Sequence, residues 1–110
     1  MPNGLSGITG NASGFDLAAN TDTLIYTCPA GKRASVTVAF VNRGTGSPKV
    51  RLARGTGASP AATDWMEYDA TVAAGTPLIR SGIPLSDGDK LWARADLGTV
   101  VTVQVEGVEA

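Results

Sequence analysis

Cys28-Pro29-Ala30-Gly31-Lys32, followed at once by Arg33-Ala34-Ser35-Val36-Thr37-Val38-Ala39-Phe40-Val41-Asn42-Arg43, decides the fold. The opening residues are a turn formula, with a glycine placed where the chain reverses, since glycine tolerates the positive φ such turns need. The run that follows alternates with a period of two, the pattern of a half-buried strand. Ala34, Val36, Val38, Phe40 and Asn42 share one face, which reads as core. Ser35, Thr37, Ala39, Val41 and Arg43 share the other, semi-polar with an apolar far end.

The formula returns as Val72-Ala73-Ala74-Gly75-Thr76 and as Leu85-Ser86-Asp87-Gly88-Asp89. The copies are too short and too unevenly spaced for a solenoid repeat, and they are expected to mark similar hairpin corners. Further strands are expected at Thr23–Thr27, Lys49–Arg54, Trp65–Thr71, Pro77–Arg80, Lys90–Ala95 and Thr99–Val108, with Pro84 suggesting an edge. An eighth joins if Asp16–Asn20 enters a sheet. No long stretch carries the i, i+3, i+4 apolar pattern of a helix. The reading is therefore all-β, an antiparallel β-sandwich or jelly roll of seven or eight strands. Residues 1–14, rich in Gly, Ser, Asn and Thr, read as a flexible N-terminal arm, and residues 15–110 as a single domain.

Composition narrows the function. The net charge of −1 gives no drive towards nucleic acid or an anionic membrane. Charged residues are 17% of the chain, below the usual quarter, which suits a domain that hides part of its surface in an assembly. There is no histidine and one cysteine, Cys28. Ser-His-Asp and Cys-His catalysis, the usual zinc sites and an intramolecular disulfide are thereby excluded. No apolar run approaches a membrane span and no signal peptide is visible, so manufacture in a cytoplasm is expected. No catalytic, cofactor-binding or metal-binding residue is expected. Asp87 and Asp89 flank a glycine, but a calcium loop supplies more oxygens, and a turn closed by one Asp is the simpler reading. Glu67 and Asp69 fall on one strand face without a cleft, which reads as surface or a subunit contact.

The residues expected to make contacts are few. Arg43, Lys49, Arg51 and Arg54 crowd one stretch, and on a hairpin they make a local positive patch for an acidic protein surface. No aromatic is interleaved as nucleic-acid binding requires. If Leu91 points inward, Trp92 points outward and anchors a contact. Leu5, Ile8 and Phe15 are apolar pegs in an otherwise polar arm, which spans up to roughly 45 Å if extended.

Tyr26-Thr27-Cys28-Pro29-Ala30-Gly31-Lys32-Arg33-Ala34-Ser35-Val36, followed by Val41-Asn42-Arg43-Gly44, resembles a small β-sandwich module of tailed-bacteriophage virion proteins. The later Ala73-Ala74-Gly75 and Leu85-Ser86-Asp87-Gly88-Asp89-Lys90-Leu91 fit the same scheme. The resemblance spans about residues 23–108 and implies a non-enzymatic virion role: capsid decoration (cement), head fibre or tail accessory. Leu85–Trp92 is also similar to the late strands of trimeric C1q/TNF-like jelly rolls, which implies a homotrimer. The expectation is a capsid decoration protein, assembled in a host bacterial cytoplasm, whose partner is the major capsid protein or another virion protein. The alternative is a tail fibre or baseplate module binding a receptor or carbohydrate.

Overall fold

A computed structural model describes residues 14–110. They form eight strands: β1 (Gly14–Asp16), β2 (Thr23–Thr27), β3 (Ala34–Asn42), β4 (Lys49–Gly55), β5 (Trp65–Thr71), β6 (Leu78–Leu85), β7 (Lys90–Ala95) and β8 (Val101–Glu109). One four-stranded sheet, here sheet A, has the order β1-β8-β3-β6, and the other, sheet B, the order β2-β7-β4-β5. All named pairings are antiparallel. The pairs β1·β8, β2·β7, β3·β6 and β4·β5 are nested, as when one long hairpin is rolled around a core. This is the jelly roll. The strand expected at Asp16–Asn20 is β1, which begins two residues earlier and ends at Asp16, and Ala19, beyond it, forms an isolated parallel bridge to Ala95.

The three glycine turns share one geometry. Gly31, Gly75 and Gly88 have φ of 74°, 81° and 81°. In each, the next N–H donates to the carbonyl three residues back: Lys32 to Pro29, Thr76 to Ala73, Asp89 to Ser86. With positive φ only at the third position these are type II turns. They are not hairpin corners. Each carries the chain from one sheet to the other, and among the described strands only β4 and β5 are sequential neighbours within a sheet.

The core lies between the sheets. Val36, Val38, Phe40, Val101, Val103 and Val105 from sheet A meet Ile25, Tyr26, Val50, Leu52 and Leu91 from sheet B, all fully buried. Asn42 is the buried polar residue on the core face of β3, and its side chain is satisfied. Its Nδ2 donates to Gly46 O (2.8 Å) and Val72 O (3.0 Å), and its Oδ1 accepts from Gly44 N (2.8 Å). It thus ties the β3–β4 loop to the turn after β5, a reason for asparagine where a hydrophobe would fit the pattern.

The sheet edges are short or irregular. β1 has three residues. β2, β5 and β6 each carry a register shift against their partners. In β6 the extra residue falls beside Gly82, at φ 67°. Such edges resist strand addition by another chain.

Candidate functional site

The outer face of sheet A carries few charges. Register places Ile79, Ala39, Gln104 and Gly14 in one row across all four strands. Val41, Thr102 and Asp16 make the next row, and Thr37 pairs with Glu106 on the other side. Ile79 is 55% exposed, Val41 38%, and Val108, further along β8, 63%. At the rim, Arg43 Nη2 donates to Asp16 Oδ1 and to Thr99 O, both at 2.7 Å.

The outer face of sheet B is different. Arg51 Nε donates to Asp69 Oδ1 (2.7 Å), and its guanidinium carbon lies 4.0 Å from the centroid of the Tyr68 ring and 5.7 Å from that of Trp65. Trp65 and Tyr68 meet edge to face, with centroids 5.8 Å apart. The Arg51–Asp69 hydrogen bond holds the Asp69 carboxyl below its usual range and pushes the Arg51 guanidinium up. Alongside, Arg94 pairs with Asp22 at 3.4 Å. A shallow cleft of about 180 Å³ opens here, lined by Asn20, Lys49, Arg51, Asp69, Arg94 and Asp96. Asp96 Oδ1 accepts the Lys49 backbone N–H at 2.8 Å.

The expected contact residues do not form one patch. Leu5 and Ile8 lie outside the described residues. Phe15 is no arm peg: it pairs with Val103 in β1 and packs partly buried against the core. The four basic residues are separated because β3 and β4 belong to different sheets. Arg43 sits on sheet A with Asp16. Lys49 and Arg51 line the sheet B cleft, and Arg54 Nη1 donates to Pro84 O (3.1 Å). Trp92 does face away from Leu91, yet it is 3% exposed. It lies on an interior strand between Leu24 of β2 and Ala53 of β4, so its ring is covered and cannot anchor an external contact.

Glu67 and Asp69 do not share a face. β5 carries two register shifts against β4, and Asp69 has φ 57°. Glu67 therefore pairs with Arg80 of β6, bridging the sheets, while Asp69 turns to Arg51. The same bulges bring Tyr68 to the face of Trp65, a neighbourhood that strict alternation hides. At the Leu85–Asp89 turn, Asp89 Oδ2 accepts the Ser86 N–H (2.8 Å), the turn-closing role. Cys28 is buried, with its Sγ donating to Lys32 O (3.4 Å), and burial pushes its thiol up. Tyr26 Oη donates to Glu109 Oε2 (2.6 Å), joining the sheets. Burial, then this carboxylate, raises the phenol far above its ordinary value.

No protein-family model matches the chain, and no curated protein matches it significantly.

Proposed function

We propose that this chain is a non-catalytic structural protein of a tailed-phage virion, and specifically a capsid decoration protein that docks through the outer face of sheet A. That face is the observation that carries the reading. Its exposed side chains are apolar or neutral across the middle, with Glu106 and the Arg43–Asp16 pair as its charges, the pattern of an interface core with a polar rim. Strand spacing and rise give it roughly 30 by 19 Å. Because β1 has only three residues, the area stays below about 600 Å², at the small end of the ~800 Å² per partner that a stable interface buries. The guarded edges support face-on contact over strand exchange. The turn formulas and the Asn42-Arg43-Gly44 stretch support the phage family, and the occupant is the major capsid protein. In this reading the decoration unit is a homotrimer.

Quantitative mass spectrometry of purified virions from the source of this sequence tests the reading. Hundreds of copies per particle are expected. A handful would place the chain at the tail tip, and absence from the particle would end the proposal.

A further inference from the structure

We propose that the cleft on the outer face of sheet B binds a saccharide. Asn20, Lys49, Arg51 and Arg94 present donors, and Asp69, Asp96 and the Asn20 carbonyl present acceptors, side by side in a space of about 180 Å³. A phosphate would match the cations and be repelled by Asp69 and Asp96. A metal ion would match the carboxylates and be repelled by Lys49, Arg51 and Arg94. A sugar hydroxyl donates and accepts at once, so vicinal hydroxyls use both halves of the lining.

Three further observations support this. The two arginines are already fixed before any ligand arrives, Arg51 by Asp69 and Arg94 by Asp22, which lessens the ordering that binding must offset. Tyr68 lies outside the lining, but its ring stacks on Arg51, with 4.0 Å from the guanidinium carbon to the ring centroid, and so helps hold the guanidinium that the lining presents. Asn20 (φ 53°) and Asp69 (φ 57°) are two of the three non-glycine residues with positive φ among the described residues, and both line the cleft. Strained backbone of this kind gathers at functional sites. The inference is independent of the docking reading, for it concerns the opposite face of the sandwich. A protein seated through sheet A leaves this cleft turned towards solvent.

The test is a ¹⁵N-labelled full chain titrated with millimolar methyl glycosides of D-glucose, D-galactose, N-acetyl-D-glucosamine, L-rhamnose and D-glucuronate. Inorganic phosphate and calcium chloride are run in parallel. At least one sugar should shift the amides of Asn20, Lys49, Asp69 and Asp96 saturably. Tyr68→Ala, confirmed folded by its own spectrum, should weaken that binding about tenfold, equivalent to about 1.4 kcal/mol. Lys49→Ala should weaken it in the same direction. The proposal is overturned if no sugar moves these resonances, if phosphate or calcium moves them and sugars do not, or if Tyr68→Ala binds as tightly as the parent. Because the titration uses no particles, its failure leaves the capsid reading standing.

Discussion

Replacing Gly107 by alanine should be among the most damaging single-methyl changes in this protein. Gly107 lies in β8 opposite Val36 of β3, the longest pairing in the fold, with φ at 155°. A Cβ there would collide with the Ser35 carbonyl oxygen and lie 3.0 Å from both Ser35 C and Val36 Cα. These are backbone atoms of the neighbouring strand and cannot swing aside as a side chain would. Relief requires the strands to part by about 1 Å, enough to stretch the local ladder bonds beyond useful length. Backbone strain of about 2 kcal/mol, with one or two ladder bonds lost at about 1 kcal/mol each, gives a cost of about 4 kcal/mol. That is a large part of the 5–15 kcal/mol typical of a whole domain. Gly31→Ala is the matched control: φ is 74° but nothing lies within 4 Å of the added methyl, so only left-handed strain of about 1–2 kcal/mol applies. Urea unfolding followed by tryptophan fluorescence measures both. In a thermal melt Gly107→Ala should lose about 15 °C or more. Equal costs for the two variants would refute the close approach of β3 and β8.

Three other outcomes are expected. Asn42→Ala should cost about 2–4 kcal/mol in the same urea assay, because the carbonyls of Gly46 and Val72 and the N–H of Gly44 lose their partner. Since the Tyr26 phenol is raised in the fold, the stability it contributes is complete below the unfolded value near 10 and is lost as pH rises above it. Unfolding free energy measured across the alkaline range should fall, and Tyr26→Phe should lessen the slope, with Cys28 supplying a further loss in the same direction. The Asp69 carboxyl, followed by carbon-13 NMR, should titrate below the usual aspartate range and return towards it in Arg51→Ala.

Much of the architecture was legible because two local signals agreed. The alternation of Arg33–Arg43 placed Val36, Val38 and Phe40 in the core, where they are, and the glycine formula marked three turns that do share one conformation. Neither signal reports which sheet a strand joins. A type II turn serves a hairpin or a crossing equally, so the crossings between sheets, and with them the dispersal of Arg43, Lys49, Arg51 and Arg54, had no local trace. Trp92 shows a second limit. Alternation gave its face correctly, but coverage depends on the neighbours Leu24 and Ala53, which only the strand order supplies. The β5 bulges show a third: an extra residue resets the period without leaving a glycine or proline behind, so the Arg51, Trp65, Tyr68 and Asp69 cluster and the separation of Glu67 from Asp69 were invisible. The Asn42-Arg43-Gly44 stretch did stand out, and the structure supplies a physical cause. Asn42 anchors the loop, Arg43 clamps Asp16 and the Thr99 carbonyl, and Gly44 fits close against Val100.

The measurement that bears most directly on the docking claim is particle binding by Ile79→Asp. Ile79 stands in the middle row of the sheet A face, exposed and facing no buried neighbour it must pack against, so the variant should fold normally. Capsids stripped of the protein would be titrated with the parent chain, with Ile79→Asp and with Lys32→Ala, which alters an exposed residue on the β2–β3 turn. Ile79→Asp should bind about thirtyfold more weakly, the loss of a contact worth about 2 kcal/mol, while Lys32→Ala binds as the parent does. Undiminished binding by Ile79→Asp would contradict the docking claim and remove the outer face of sheet A as the docking surface.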